Sequence, residues 1–281
     1  MKIGEVLVQA RECLRSYGIE SAMLDASLIL SHVTNLSKTQ LLIHEDDELD
    51  IEVVDAYARL IEKRTKGYPV AYILGYKDFY DIRLKVTEKT LIPRPDTEVL
   101  VEKALSLNPK GRVLDVGTGS GAIILALKKH LGDQIEAFAC DIDMDALNVA
   151  EENCVALNLD VTYFESDFLN CVPNEKKYSM IVSNPPYIHP DDPHLRESSL
   201  PFEPRKALVS GYDGLEAISI LTREAPAFLE NNGYLLIEHG YNQAIAAQRF
   251  FKAAGFNFIQ TIKDYGGNDR VTLGRYTKNK E

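Results

Sequence analysis

Asn184-Pro185-Pro186-Tyr187 stands directly after the apolar run Tyr178-Ser-Met-Ile-Val-Ser183, so it hangs from the carboxyl end of an expected strand. That is where open α/β sheets put their chemistry. Two adjacent prolines lack N–H groups and have fixed φ, so the backbone here offers carbonyl acceptors and almost no competing donors. Asn184 adds a side-chain acceptor and Tyr187 a flat aromatic face. The combination suits a planar amino or amide NH₂ group: two acceptors take its hydrogens, a ring stacks on its plane, and the nitrogen lone pair is left to attack. The motif contains no metal ligand set, general base or covalent nucleophile. A nitrogen held only by hydrogen bonds is a weak nucleophile, so an activated electrophile on a group-donating cofactor must lie beside it. Alone, the four residues also fit a Pro-rich turn after a strand.

Three further strand ends favour the chemical reading. Val113-Leu-Asp-Val116 runs into Gly117-Thr118-Gly119-Ser120-Gly121, a turn that lets a cofactor approach the backbone and aims helix N-terminal N–H groups at an anionic group. Its Gly-x-Gly-x-Gly spacing is shorter than that of dinucleotide sites and fits a cofactor that bears a carboxylate. Asp141 ends the next apolar run, placed to accept both hydrogen bonds of a ribose diol, while Asp143 is free to cap the following helix. Asp167 and Phe168 follow the third run and supply an acceptor for an adenine amino group and an aromatic wall; Phe168 is equally at home in a core. In order, the strand ends offer an amino-acid site, a ribose site, an adenine site and the Asn-Pro-Pro-Tyr pocket. That order describes S-adenosylmethionine with a nitrogen substrate beside its methyl group.

The elements that must position these groups follow from periodicity. Residues 1–68 read as helices only, with apolar positions at Ile3, Val6, Leu7, Ala10 and Leu14, then helices opening at Ser21 and Ser37, then one from Ile51 to Lys66 that Gly67 ends. This small bundle carries no catalytic cluster, which leaves recognition of a partner or support of the next domain as its task. Residues 69–91 change to an alternating pattern through Ile82, Leu84 and Val86 and read as a linking β-hairpin. Residues 92–281 open with the stiff Ile92-Pro-Arg-Pro-Asp-Thr-Glu98, where Asp96 or Thr97 is expected to cap a helix. They then alternate strand and helix, which predicts a doubly wound, mostly parallel sheet. The Pro-rich stretch 188–211 is longer than an ordinary connection and reads as functional.

Composition bounds the rest. The chain has 281 residues, 45% hydrophobic and 26% charged, as in globular proteins that bury a sizeable core. There is no apolar run long enough to span a bilayer and no secretory leader at Met1-Lys-Ile-Gly-Glu-Val6, so a cytoplasmic protein without a membrane partner is expected. A net charge of -11 argues against a partner gripped through its phosphates. Cys13, Cys140, Cys154 and Cys171 lack CxxC spacing and are expected to be buried free thiols, with no metal site.

Taken together, Ile92–Glu98, Asp115-Val-Gly-Thr-Gly-Ser-Gly121, Ser183-Asn-Pro-Pro-Tyr-Ile188, Glu203-Pro204 with Ala207-Leu208, Asp213-Gly-Leu215 and Gly266-Gly-Asn-Asp-Arg270 resemble the peptide-chain release factor glutamine methyltransferases. The resemblance spans nearly the whole chain, including Ala71-Tyr-Ile-Leu-Gly75 at the domain junction. It implies a Rossmann-like class I methyltransferase fold behind a helical substrate-recognition domain. It also implies S-adenosylmethionine as cofactor, and methylation of the side-chain amide nitrogen in the Gly-Gly-Gln loop of class I release factors. Carried onto this sequence, it makes Asn184, Pro185 and Tyr187 catalytic and Asn184, Pro185, Pro186 and Tyr187 substrate-binding. Gly117, Thr118, Gly119, Ser120, Gly121, Asp141, Phe168 and Asn184 become cofactor-binding. Phe168 departs from several relatives that carry Trp, which keeps the stacking face with less area. A monomer without direct nucleic-acid contact is the expected state. The alternatives are an N6-adenine type DNA methyltransferase, which shares the Asn-Pro-Pro-Tyr pocket, a nicotinamide-dependent oxidoreductase and a non-enzymatic binding module.

Overall fold

A computed structural model describes residues 1–197 and 199–278. Contacts divide the chain into two units, Met1–Tyr76 with Arg196–Phe202, and Lys77–Leu195 with Glu203–Glu281. Among the described residues no helix is long and apolar enough to cross a membrane.

The first unit is helical: α1 (Ile3–Ser16), α2 (Ala22–Thr34), α3 (Lys38–Ile43), α4 (Ile51–Thr65) and α5 (Val70–Leu74). Ile3, Val6, Leu7, Ala10 and Leu14 of α1 pack with Ala26, Ile29 and Leu30 of α2 and Tyr57 and Ile61 of α4, each at helical spacing. Ser37 caps α3, accepting from Gln40 N at 3.2 Å, and Gln40 returns the bond in a capping box. Ser21 starts α2 without capping it, because its hydroxyl donates to Asp25 Oδ2. The stretch 69–91 is not hairpin throughout. Val70–Leu74 forms a helical turn that Gly75 ends at φ 76°, and only then do β1 (Tyr76–Phe79) and β2 (Ile82–Lys85) pair. The short apolar run Val-Ala-Tyr-Ile-Leu after Pro69 suits either period, and proline at the N-cap tips it to helix. The segment 196–202 belongs with this unit, where the Phe202 ring meets Tyr68 edge-on at 5.4 Å.

The second unit continues with α6 (Pro95–Ser106), β3 (Gly111–Val116), α7 (Ala122–Leu131), β4 (Ile135–Asp141), α8 (Met144–Ala156), β5 (Val161–Glu165), β6 (Tyr178–Ser183), α9 (Arg205–Leu208), α10 (Glu216–Glu224), β7 (Leu229–Glu238), α11 (Ala244–Ala253), β8 (Phe256–Lys263) and β9 (Asp269–Tyr276). The seven strands run in the order β5-β4-β3-β6-β7-β9-β8. Strands β5 to β7 are parallel and β9 is antiparallel to both β7 and β8. This is the doubly wound, mostly parallel sheet that the alternation of strands and helices predicts. The strand order reverses between β3 and β6, so a crevice opens above their carboxyl ends.

Side-chain alternation assigns the faces. Val113, Ala137, Ala139, Met180, Val182 and Leu236 point to one core with α6 and α7; Leu114, Val116, Ile181, Leu235 and Ile237 point to the other with α10 and α11. Both faces are covered, which is why these strands read as continuous apolar runs. Two helix limits differ from what the sequence suggests. The stretch Leu215 to Leu229 reads as one helix, but it is helical only to Glu224, and Pro226 lies in a 3₁₀ turn that feeds β7. Helix α6 is capped by neither Asp96 nor Thr97: Pro95 occupies its first turn and Arg94 is the extended N-cap residue. Two of the four thiols also differ from expectation, since Cys13 and Cys171 are exposed while Cys140 and Cys154 are buried.

Candidate active site

A cavity of about 290 Å³ opens above the carboxyl ends of β3, β4 and β6. It is lined by the Gly117–Ser120 turn, Asp141–Asp143, Ser166–Phe168 and Ser183–Pro186, with Thr97 and Pro204 closing its sides. Three strand ends and the Asn-Pro-Pro turn therefore converge, and ten of the twelve residues given a cofactor or substrate role above line one space. Gly121 and Tyr187 do not.

The glycine turn shows why. Gly117 and Gly119 have φ of 72° and 56°, and a Cβ built on either would meet nothing within 4 Å, so their bare backbones face open cavity. Gly121, at φ 85°, is the N-cap of α7, and a Cβ there would press on Leu125 Cδ1 at 2.8 Å. The first two glycines make room for a ligand; the third makes room for the helix. Hydrogen bonds hold the turn from below. Gly117 N and Thr118 N donate to Cys140 O, Thr118 Oγ1 donates to Asp115 Oδ2 at 2.7 Å, and Asn153 of α8 donates to the Ser120 carbonyl at 2.9 Å. Asp115 is fully buried, and burial pushes its carboxyl up to about 7 against the pull of Thr118.

Asp141 receives Gly119 N on Oδ2 at 2.9 Å and Asp143 N on Oδ1 at 3.0 Å. Each oxygen thus spends one lone pair on the chain and keeps one for a ligand. Burial raises its carboxyl above the ordinary range, opposed by those two N–H groups. Asp143 caps α8 through Asp145 N at 3.0 Å. Beside Asp141 stands Ile142, 56% exposed although apolar, on the cavity wall with Phe168. Sequence reading passed over Ile142; an apolar residue between two aspartates at a strand end was its only signal.

The Asn-Pro-Pro-Tyr turn is braced from three sides. Asn184 Nδ2 donates to Thr97 Oγ1 at 3.2 Å, which turns the other end of the carboxamide, Oδ1, away from Thr97. Among the described residues no hydrogen bond engages the Pro185 carbonyl. The Tyr187 ring leaves the cavity for the core packed by α10 and α11, and its hydroxyl donates to Glu238 Oε1 at 3.3 Å. Tyr187 N donates to Leu208 O, and Gln243 Nε2 donates to Tyr187 O at 2.9 Å and to Gly214 O at 3.2 Å. Gly214 has φ 75°, and a Cβ there would lie 2.5 Å from Tyr187 O. Gly214→Ala is therefore expected to cost about 1–3 kcal/mol through backbone strain and to push the turn off Gln243. Denaturant unfolding should show a lower midpoint; an unchanged midpoint with full turnover would mean the brace is dispensable.

Residues outside the expected set complete the frame, and all of them converge on the first turn of α6. Glu203 accepts Ile92 N on Oε2 at 3.0 Å and is hydrogen-bonded and ion-paired to Arg94 through Oε1. Arg270, from the Gly-Gly-Asn-Asp-Arg stretch, bonds Asp264 with Nε at 3.1 Å and Nη2 at 2.9 Å, and reaches Asp96 Oδ2 at 3.2 Å. Glu238 ends β7, is 1% exposed, and carries a carboxyl that burial pushes up to about 7 against the influence of Thr97, Arg270 and Tyr187. A charged residue closing the apolar run Gly233–Ile237 at a strand's carboxyl end was the legible sign of it.

Comparisons with known proteins agree over both units. The family model described as the PrmC N-terminal domain matches residues 5–75, and that of the methyltransferase small domain matches residues 95–196. A release factor glutamine methyltransferase from Vibrio cholerae is 40% identical over 282 residues, covering 99% of this chain and 98% of that protein. The protein of the same name from Escherichia coli is 40% identical, covering 92% and 93%. Among solved structures, a methyltransferase from Pyrococcus furiosus superposes with a TM-score of 0.54 at 17% identity, covering 80% of this chain and 99% of that one; at such identity the likeness speaks for the fold.

Proposed function

The chain belongs to the release factor glutamine methyltransferases, and from that premise we propose how its cavity carries out the transfer. The protein methylates the glutamine of a peptide-chain release factor. We infer that the donor is S-adenosylmethionine, that the target is the side-chain amide nitrogen in a Gly-Gly-Gln loop, and that transfer is direct. The single observation that carries the reading is the junction of two sites in one cavity: the open glycine turn with Asp141 on one side, and Asn184 with the Pro185 carbonyl on the other.

The residues present fit the cofactor. Bare backbone at Gly117 and Gly119 leaves space for its amino-acid part, with Thr118 and Ser120 beside them. Asp141 keeps one lone pair on each oxygen for the ribose hydroxyls, and Ile142 with Phe168 offers apolar walls for the adenine. When bound, S-adenosylmethionine supplies a methyl group activated by a sulfonium leaving group. The chain's own task is then to hold a poor nucleophile. An amide nitrogen shares its lone pair with its carbonyl; Asn184 Oδ1 and the Pro185 carbonyl accept its two hydrogens, turn the lone pair toward the methyl carbon, and stabilise the positive charge that grows on nitrogen. With the cofactor held there, the N–C bond would form as the C–S bond breaks, and the surplus proton would leave nitrogen for water. Alignment of this kind supplies on the order of 7–11 kcal/mol. Pro186 shapes the wall, and Tyr187 acts from below as a positioning residue, since its ring packs in the core and its hydroxyl holds Glu238.

The helical unit, which carries no group of this chemistry, recognises the folded release factor. The DNA amino methyltransferase reading is not favoured, because the relatives match the helical unit as well as the sheet. Intact-mass and peptide mass spectrometry of a class I release factor incubated with protein and S-adenosylmethionine tests the whole reading. A single added methyl on the loop glutamine is expected, and an unmodified release factor would refute it.

Asp141→Ala is expected to raise the cofactor Kd by at least roughly tenfold to a hundredfold, since even one hydrogen bond to a charged group contributes about 1.5–3 kcal/mol. A small loss of stability should accompany it as Gly119 N and Asp143 N lose their acceptor. Calorimetry giving unchanged affinity would remove the ribose assignment.

A further inference from the structure

Two lysines on the outer wall of the cofactor cavity, Lys89 and Lys206, reach the start of α8. We propose that Lys206 and Asp143 form a latch over the ribose end of the cavity, an ion pair that must open for S-adenosylmethionine to enter or leave and that slows its exchange. The inference rests on the reading of this cavity as the S-adenosylmethionine site.

The wall that carries Lys206 belongs to the substrate side. Helix α9 is tied at both ends. Glu203, just before it, holds Ile92 N and Arg94, and Leu208 O at its end accepts Tyr187 N at 3.2 Å and Ile188 N at 2.8 Å. Between these anchors Pro204, Lys206 and Ala207 line the cavity. The facing wall is the loop from β4 to α8. Asp141 Oδ1 accepts Asp143 N at 3.0 Å, and Asp143 in turn gives Oδ1 to Asp145 N, which leaves its Oδ2 for the Lys206 ammonium. Both partners line the cavity, so the pair joins its two walls beside the carboxylate assigned to the ribose.

The second lysine shows by contrast why this pair counts. Lys89 meets Asp145 Oδ2 at 2.9 Å, but both of those side chains are exposed. Ion pairs open to water on both sides contribute almost nothing, since solvent and salt screen them. The Lys206 pair is sheltered on one side: the Asp143 side chain is 14% exposed, whereas Lys206 still meets water. The sheltered carboxylate holds its partner more firmly, and the ammonium can be hydrated when the pair parts. Such a link delays opening without preventing it. A bar across the mouth acts on entry and exit alike, so it changes rates and leaves affinity alone; a side chain bonded to the cofactor would change affinity.

The test follows release of radiolabelled S-adenosylmethionine chased with unlabelled cofactor, with equilibrium affinity by calorimetry. It compares wild type, Lys206→Met, Asp143→Asn, their double variant and Lys89→Met. Asp143→Asn keeps an acceptor for Asp145 N, so α8 stays capped. Each of the Lys206 and Asp143 single variants is expected to speed release roughly two- to fivefold, with Kd nearly constant because entry speeds up equally. The double variant should match the singles, since either change opens the latch. Raising salt to about 0.5 M should bring wild-type release up to the rate of these variants and barely alter theirs. Lys89→Met should release at the wild-type rate. Unchanged release in Lys206→Met overturns the latch, as do multiplicative effects in the double variant. A Kd that rises in step with koff also overturns it, because Lys206 would then be a direct cofactor contact. So does Lys89→Met matching Lys206→Met, because any charge on the rim would then serve. All of these outcomes leave the functional reading standing, whereas wild-type protein that binds no labelled cofactor overturns the cofactor assignment and the latch with it.

Discussion

Asn184→Ala is expected to abolish most of the turnover while leaving the fold and cofactor binding close to normal. The side chain is half-buried at the cavity wall and, among the described residues, makes one hydrogen bond, to Thr97 at 3.2 Å, so its removal disturbs little of the fold. What is lost is the Oδ1 acceptor. Removing one preorganised group that stabilises developing charge costs about 2.7–4 kcal/mol, a hundredfold to a thousandfold in kcat. The loss should fall on kcat in single-turnover experiments at saturating cofactor and release factor, because the interaction strengthens as charge appears on nitrogen. Asn184→Asp is the finer probe. It keeps an acceptor but loses the Nδ2 donor that Thr97 holds, and partial activity is expected. Near-normal turnover of Asn184→Ala would reduce the motif to a strand-ending turn.

Glu203→Ala should have the largest effect on stability, although Glu203 lies outside the reacting groups. Its side chain is fully buried, with one oxygen on Ile92 N and the other on Arg94. Breaking a fully buried pair costs about 3–5 kcal/mol. Arg94 is a third exposed and can rehydrate, so about 2–4 kcal/mol is the better expectation. That corresponds to a fall in Tm of roughly 5–15 °C. Activity at permissive temperature should fall as well, because Arg94 is the N-cap residue of α6 and Thr97 lies three residues on. Glu203→Gln keeps an acceptor for Ile92 N and should recover much of the stability. A Tm within 2 °C of wild type for Glu203→Ala would show that Arg270, gripping Asp96 from the other side, holds the helix start alone.

Much of this was legible in the chain. Local geometry is written in single residues: prolines without N–H groups at 185 and 186, glycines at 117 and 119, and an aspartate closing β4 each impose their own constraint. Strand and helix periods then order those constraints along one sheet edge, so the contents of the cavity could be read before its walls were seen. The orientations have a common cause. Tyr187 was expected on the substrate plane; its half-buried ring packs against the core below the turn, because direction off a turn depends on what packs behind it, here Glu238 and Gln243. Gly121 shares its spacing with Gly117 and Gly119 but answers to Leu125. Asp96 and Thr97 read as helix caps until Pro95 took the first turn, and that shift left one free for Arg270 and the other for Asn184. Residue type and spacing by themselves determined which groups could react and in what order they stand. Only the tertiary structure decided which way each one faces, because orientation is set by partners such as Glu203, Glu238 and Arg270 that are distant in the chain and gain their meaning only where it folds back on itself.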